Sequence, residues 1–366
     1  MVSPMRLLGI IPLVTILHLI GSSWAVPWEQ DSAHQDQTQA KTLEGSQLTG
    51  SNLTAPLPAR IVYDFPQGTW IENIAVRQNG QLVVTEITKP RVYQVDPSGS
   101  GKPVLIHEFQ GEKSILGITE GAKDVFYVAS GDFILKGFQI LGPGSIYKVD
   151  LRQFSPNKKD SAKISKVTTV KQSKFLNGVA FLGGKSNLLL AADSAAGIIY
   201  SVNVDNGDTQ VAINNSLLQP FGPTGTGVNG IKLYNNFLYF ANTGQQTVVK
   251  VPINGKGEAS GDFTTLSKGG ILQPDDFALD AQGDVYAATG LTNQEGLAFV
   301  PREGGPAIRI AGAAGPTGAA FGRTKEDRDV VYLTTSGGGN AYQADGPVTV
   351  SGKVLKINVD RIGYSR

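Results

Sequence analysis

Six short segments of the chain open in the same way, and four of them begin with a side chain that carries a carboxylate or amide oxygen. The six opening residues are Glu72, Leu116, Asn177, Asn229, Asp275 and Thr317. Two carboxylates and two amides that converge on one axis suit a hard divalent cation such as Ca²⁺ or Mg²⁺. The pattern predicts a metal site formed by Glu72, Asn177, Asn229 and Asp275. Glu72 and Asp275 are also the candidates for a general acid or base.

A second interpretation gives these residues no chemistry. The Asn-Gly pairs at 177 and 229 are turn formers, and they cap strand starts without help from a ligand. Glu72 and Asp275 are not typical turn residues, yet they occupy the same position in the repeat. That shared position favours the metal-site interpretation.

Other kinds of site are harder to assemble from this sequence. The chain contains no Cys, and outside the N-terminal apolar segment the only histidines are His34 and His107, which argues against zinc and against a Ser-His-Asp triad. Phosphate loops and dinucleotide fingerprints are absent, so we expect no nucleotide cofactor. The formal net charge of +1 offers no basic surface for nucleic acid. Small molecules are the expected partners.

The elements that must position the six residues are short strands. The first copy, residues 69–97, has three apolar bursts separated by the turn signals Asn79-Gly80 and Lys89-Pro90, which is typical of an antiparallel meander. The openings recur every 42 to 61 residues or so, the period of propeller blades. We therefore predict an all-β fold, a six-bladed β-propeller. A pair of β-sandwiches is the alternative, but sandwiches do not repeat one opening six times in register.

The segment 60–65, RIVYDF, reads as a strand with no neighbour in sequence. The sixth repeat ends after three strands, so this N-terminal strand is expected to pair with the last blade and close the ring. Closure of that kind removes exposed sheet edges.

Two long connections are expected at the mouth of the channel, at residues 131–144 and 336–352, and the segment 219–227, which leads to Asn229, is a candidate for another wall. Long loops over a channel mouth often serve as lids or binding walls, although surface insertions are also tolerated without a function. The candidate substrate contacts on or beside these segments are Trp70, Phe133, Phe138, Phe221 and Tyr342.

The N-terminus has the features of a secretory signal. A basic residue precedes an apolar run at 7–20, and Ser23-Trp24-Ala25 fits a cleavage site. The apolar run is shorter than the ~20 residues that span a bilayer, which argues against a stable membrane anchor. We expect a signal peptide at 1–25, and a protein that is secreted or lies in the secretory pathway.

The segment that follows is polar. Residues 26–58 are rich in Gln, Ser, Thr, Glu and Asp and are expected to form a disordered leader, with the propeller at 59–366. The sequons at Asn52 and Asn214 are candidate glycosylation sites and agree with passage through the secretory route.

The openings resemble those of the senescence marker protein and gluconolactonase family of six-bladed propellers. The matching residues are Glu72, Asn177 within KFLNG, Asn229 within VNG and Asp275 within QPDDFALDAQG. The resemblance implies that these four residues bind a divalent metal, usually calcium, and that Asp275 acts as a general base in a lactonase. The chain departs from the family at Asp276, where the family usually has Gly.

The segment GTWIENIAVRQNGQLVVT is similar to a fungal secretory-pathway subgroup that includes hetero-Diels-Alderases. This resemblance implies an enzyme that dehydrates a hydroxymethyl tropolone-type substrate to a quinone methide and couples it to a humulene-type sesquiterpene. A metal-dependent lactonase is the second hypothesis. A secreted binding propeller without catalytic activity is the third.

Overall fold

A computed structural model describes residues 56–136, 139–158, 160–184, 186–222, 225–267, 271, 273–290, 295–338, 342, 347–360 and 362. The predicted signal peptide, most of the predicted leader, the sequon at Asn52 and the candidate contact Phe138 lie outside these residues. Across the described ranges, no helix is both long enough and apolar enough to cross a membrane.

The described residues form six antiparallel sheets of four strands each, which are the six blades of a β-propeller. The inner strands are β2 (Ile71–Val76), β6 (Ser114–Glu120), β10 (Leu176–Phe181), β14 (Val228–Tyr234), β18 (Pro274–Leu279) and β22 (Pro316–Phe321). The second strands are β3 (Leu82–Glu86), β7 (Val125–Ile134), β11 (Leu188–Asp193), β15 (Phe237–Asn242), β19 (Val285–Thr289) and β23 (Val330–Thr335). The third strands are β4 (Arg91–Val95), β8 (Gln139–Asp150), β12 (Ile198–Asn203), β16 (Thr247–Pro252), β20 (Gly296–Val300) and β24 (Lys353–Asn358).

The outer strands are shorter or more exposed than the others. They are β5 (Val104–Glu108), β9 (Lys163–Thr169), β13 (Thr209–Asn214), β17 (Thr264–Thr265), β21 (Ile308–Gly312) and β1 (Ala59–Asp64). A 3-10 helix at Ser216–Leu218 follows β13. Because the outer strands face solvent, they lack the continuous apolar runs of the inner three strands.

The cores lie between the blades. Leu82 and Val84 of β3 pack in one apolar cluster, whereas Val83 packs in the next. Successive side chains of a strand point to opposite faces, so a middle strand with a neighbouring blade on each side buries side chains on both faces. This arrangement explains why second strands such as β3 and β11 begin with a run of apolar residues.

The ring joins the first and last blades. Each inner strand contacts the inner strands of both neighbouring blades, and β2 contacts β22 in this way. Strand β1 pairs antiparallel with β24 and is the fourth strand of the last blade. This strand corresponds to the predicted strand at 60–65. Its buried residue Val62 and the following Phe65 pack with Ile71 of the first blade.

Every inner strand carries a β-bulge at its opening. In the first blade, Ile71 pairs with Glu86 but Ile74 pairs with Val84, so Glu72 and Asn73 together lie opposite a single residue. The same shift by one residue occurs in the other five blades. A bulge redirects side chains locally, and here it lies at the predicted ligand position of each blade.

The prediction of a loop at 131–144 was wrong. Strand β7 continues to Ile134 and β8 begins at Gln139, so the two strands form a long hairpin that extends beyond the blade. Within it, Phe133 pairs with Ile140. The apolar residues of this segment support cross-strand pairing, which the sequence interpretation overlooked because of the glycines on either side.

Candidate functional site

The openings of neighbouring blades lie in direct contact, because the residue after the opening is often glycine. A Cβ atom at Gly117 would lie 2.3 Å from the carbonyl oxygen of Asn177, and one at Gly178 would lie 2.4 Å from that of Asn229. Only a residue without a side chain permits this approach. The predicted ligands therefore occupy equivalent positions at one end of the ring of inner strands.

Among the described residues, hydroxyl groups bridge four of the six junctions between neighbouring blades at this level. In each case a Ser or Thr side chain donates to a main-chain carbonyl of the following inner strand. The pairs are Thr85 to Leu116 at 2.6 Å, Ser194 to Val228 at 2.7 Å, Thr243 to Pro274 at 2.8 Å and Thr317 to Ile71 at 2.7 Å. These bonds fix the height of neighbouring openings relative to one another.

Glu72 is a buried carboxyl with one strong donor. The indole Nε1 of Trp70 donates a hydrogen bond to Glu72 Oε2 at 2.5 Å, and only 5% of the Glu72 residue is exposed. Burial raises the pKa of Glu72 to about 7, and the charge of Asp276 acts in the same direction, whereas the bond from Trp70 opposes both. Glu72 therefore exchanges a proton near neutral pH.

Asp275 is half-buried at the equivalent position of the fifth blade. Its pKa lies well above the usual range because of burial and because of the charges of Glu72 and Asp276, while Asn229 and Lys232 oppose the shift. The charge of Glu72 therefore acts on Asp275 across the ring of inner strands. Two such groups do not ionise together at low cost without a counter-charge.

The amide of Asn229 has one oxygen without a partner. The hydroxyl of Thr243 donates to the carbonyl of Pro274, so it accepts from Asn229 Nδ2 at 2.9 Å, and this assigns the amide orientation. Asn229 Oδ1 is buried and accepts no hydrogen bond from any described residue. An orphaned buried acceptor of this kind is rare and indicates an additional partner.

These residues fit a hard divalent cation. Lys232, whose charge acts on Asp275, is paired with Asp276. Asn229 has a buried oxygen with no hydrogen-bond donor among the described residues, and Asn177 is buried at the equivalent position of its blade. Over the described ranges, no group of three or more His, Cys, Asp or Glu residues forms a metal cluster. Two of the four predicted ligands are amides. Glu72, Asn177, Asn229 and Asp275 are the residues that would hold the cation.

An apolar cluster stands beside the Glu72 carboxyl, and we call it the apolar wall. It consists of Trp70, Ile87, Leu116, Phe133, Leu135 and Phe175. The rings of Phe133 and Phe175 lie 4.9 Å apart. The wall joins the first three blades and is continuous with Glu72 through the Trp70 indole.

The other predicted substrate contacts differ in exposure. Tyr342 is buried, lies 5.1 Å from the Trp70 ring, and donates to the carbonyls of Thr69 and Ser336. Phe221 is 68% exposed on the segment that leads to β14. Tyr342 therefore fixes Trp70 in place, whereas Phe221 is free to contact a ligand. The sequon residue Asn214 is exposed at the end of β13.

The sequence interpretation missed three charged residues near the site. Asp276 is buried and forms an ion pair with Lys232 of the fourth blade. Glu86 is buried at the end of β3, where it accepts from Thr88 and Tyr93, and burial raises its pKa. Of these three residues, the sequence drew attention only to Asp276, because it stands where the resemblance predicts Gly.

Two curated proteins are similar to this chain over most of its length. The protein named "Putative hetero-Diels-Alderase asR5" from Sarocladium schorii is 26% identical over 345 residues, which cover 83% of this chain and 84% of that protein. A second, named "Putative hetero-Diels-Alderase", from Phoma sp, is 26% identical over 326 residues, covering 78% of this chain and 89% of that protein. No family model matches the sequence.

Solved propellers show the same fold. A calcium-binding protein, regucalcin, from Agrobacterium tumefaciens superimposes with a TM-score of 0.58 at 15% identity, covering 83% of this chain and 94% of that one. A gluconolactonase from Xanthomonas campestris superimposes with a TM-score of 0.55 at 14% identity, covering 84% and 93%. The structural neighbours are thus regucalcin-like and gluconolactonase-like propellers.

Proposed function

We propose that the protein is a hetero-Diels-Alderase whose reactants meet at the end of the channel that carries Glu72. The observation that carries the proposal is the position of Glu72, a carboxyl of raised pKa, beside the apolar wall. Trp70 connects the two, because it donates a hydrogen bond to Glu72 and packs in the wall. The names of the two curated relatives support the reaction class. The proposed reactants are a hydroxymethyl tropolone-type compound and a humulene-type sesquiterpene.

The first step is a dehydration. The bond between the methylene carbon and its hydroxyl oxygen breaks, that oxygen takes up a proton and leaves as water, and the adjacent ring hydroxyl gives up its proton. The product is a quinone methide, and no oxidant is required. Glu72 donates the proton, since a pKa of about 7 keeps part of its population protonated at neutral pH. Asp275 accepts the proton of the ring hydroxyl, because a pair of neighbouring carboxyls shares one proton and so supplies an acid and a base together.

The second step is a cycloaddition that moves no proton. The quinone methide oxygen and its exocyclic methylene carbon form a C–O and a C–C bond with the two alkene carbons. The C=O, exocyclic C=C and alkene π bonds are consumed, and one new C=C bond forms in the ring. Alignment of two reactants lowers the activation barrier by roughly 7 to 11 kcal/mol in favourable cases. The apolar wall binds the hydrocarbon and excludes water, which would otherwise add to the quinone methide.

With a divalent cation held at the four predicted ligands, Glu72 and Asp275 would be ligands and not acid and base, and the cation would supply a chelating Lewis acid for the two adjacent oxygens of a tropolone. The hydrogen bond from Asn229 Nδ2 to Thr243 fixes the amide, and its orphaned Oδ1 would be one of the ligands.

The test uses purified protein with the tropolone-type alcohol and α-humulene, with products resolved by chiral chromatography and mass spectrometry. We expect one enantiomer of the adduct, and we expect Glu72→Gln to slow adduct formation at least about 100-fold, as for loss of a general acid. When the quinone methide is generated chemically, Glu72→Gln retains its stereoselectivity, because the wall remains. A racemic product at the rate of the protein-free control would refute the proposal.

A metal-dependent lactonase is the second candidate. It is favoured by the set of carboxylate and amide oxygens at one end of the ring, which would hold a cation that polarises an ester carbonyl while Asp275 activates water. Hydrolysis of a panel of lactones in the presence of Ca²⁺ discriminates between the two candidates. Turnover that Asp275→Asn abolishes supports the lactonase, and absence of turnover with every lactone rejects it.

A further inference from the structure

Asp276 is a fully buried carboxylate with a dedicated counter-ion. Lys232 Nζ lies 2.5 Å from Asp276 Oδ2 and 2.6 Å from Oδ1, and 1% of Asp276 is exposed. The Nζ group also lies 5.6 Å from the centre of the Phe277 ring. A buried ion pair needs geometry of this quality, because the desolvation of both charges must be offset.

The neighbouring blade provides a space for this carboxylate. A Cβ atom at Gly230 would lie 2.2 Å from Asp276 Oδ1, so only glycine at 230 leaves room for it. Asp276 Oδ1 accepts from the main-chain N–H of Phe277, just as Asn73 Oδ1 accepts from Ile74 in the first blade. The local backbone conformation therefore accepts a neutral Asn at this position. The ion pair with Lys232 is not needed to form that conformation.

Lys232 also lines a cavity formed by residues that follow the openings on the inner strands. This cavity of about 310 Å³ is lined by Lys232 and by small residues that include Ala180, Ala278 and Ala320. From there the ammonium group reaches Asp276, next to the opening residue Asp275. The pair thus lies between the cavity and the candidate cation site.

The pair determines the charge near the predicted ligands. Asp276 directly follows Asp275 at the opening of β18, and Glu72 lies at the equivalent opening of β2, so three carboxylates lie at the same end of the ring of inner strands. Lys232 neutralises Asp276, which leaves the two carboxylates of the predicted ligands. Carboxyl ligands bind a metal in the deprotonated form, so these two groups present two negative charges to one divalent cation.

We propose that Lys232 is a positioning residue of the cation site: by neutralising Asp276, it leaves the site with two negative charges and so sets its affinity for a divalent cation. It acts through Asp276 and does not touch the cation. The proposal rests on the fit of the four predicted ligands to a cation and is independent of the reaction that the protein catalyses.

The test is calorimetric titration of the chelator-treated full-length protein with Ca²⁺, for four proteins: wild type, Asp276→Asn, Lys232→Met and the double variant. Asp276→Asn leaves the Lys232 charge unpaired, and we expect Ca²⁺ affinity to fall at least about 10-fold, since two like charges this close repel strongly inside a protein. The double variant restores two negative charges, so its affinity should return to within about threefold of wild type. Lys232→Met should bind Ca²⁺ at least as tightly as wild type.

A purely structural role predicts a different pattern, in which the double variant binds Ca²⁺ no better than Asp276→Asn. That result would overturn the proposal, as would wild-type affinity in Asp276→Asn or no binding of Ca²⁺ to the wild type at 10 mM. Circular dichroism and thermal denaturation in chelator confirm that each variant is folded. Asn73 shows that an amide fits this local conformation, so we expect Asp276→Asn to fold.

Discussion

Glu72 illustrates how burial changes the chemistry of a single residue. Its pKa of about 7 lies above the ordinary value of 4.5, first because of burial, so the folded protein favours the neutral carboxyl. The contribution of Glu72 to stability is therefore fully present below pH 4.5 and is lost as the pH rises through about 7. Strain of this kind is typical of functional sites.

The first prediction concerns Glu72→Gln in the presence of chelator. A neutral amide does not titrate, so the variant should lose less stability than wild type between pH 5 and pH 8. For this shift in pKa, the two proteins should differ in their loss of unfolding free energy by at most about 3 kcal/mol. Urea denaturation at several pH values measures it. Glu303→Gln is the control, because that side chain is 81% exposed. Parallel pH profiles for wild type and Glu72→Gln would contradict the prediction.

The hairpin formed by β7 and β8 is the element that extends the apolar wall. Phe133 is buried in the wall, and its cross-strand partner Ile140 is 43% exposed. Directly paired residues share a face of the sheet, so Ile140 continues the wall toward solvent. This continuity explains why an isoleucine is left exposed at the end of a hairpin.

The second prediction, which rests on the proposed function, concerns Ile140→Ser. Loss of apolar contact should weaken binding of α-humulene about 5-fold or more, given about 1 to 2 kcal/mol for a partly buried aliphatic side chain. Quenching of Trp70 fluorescence reports the binding, since Trp70 belongs to the wall. Leu105→Ser on outer strand β5 is the matched control, with a leucine that is 46% exposed. Equal affinities for the two variants would remove Ile140 from the site.

The whole molecule depends on contacts between its first and last blades. Val62 of β1 is buried with residues of the first blade, although β1 belongs to the sheet of the last one. The adjacent Ile61 is 58% exposed. One strand therefore offers a buried and an exposed position side by side.

The third prediction compares Val62→Asp with Ile61→Asp. An unpaired charge at a buried position is among the most destabilising substitutions, and we expect Val62→Asp to lower the free energy of unfolding by about 3 kcal/mol or more. Ile61→Asp should change it by less than about 1 kcal/mol, as for most surface substitutions. Chemical denaturation of both variants provides the comparison. Similar decreases in the free energy of unfolding for the two variants would show that burial of Val62 between the first and last blades does not stabilise the protein.

The sequence by itself predicted the six blades and the openings that carry Glu72, Asn177, Asn229 and Asp275. Those features follow from local patterns, since strand alternation and turn residues lie within a few positions of one another. The N-terminal strand was also predictable, because the last repeat lacked one. The roles of the predicted ligands remain predictions.

Only the tertiary structure decided which groups affect one another. Lys232 and Asp276 are 44 residues apart, and Trp70 meets Phe133 through a hairpin that the sequence interpretation had taken for a loop. The pKa of Glu72 depends on burial between blades, which no local pattern specifies. Burial and charge are sums over neighbours in space, so the fold was determined by the repeat and the chemistry of its site by contacts between repeats.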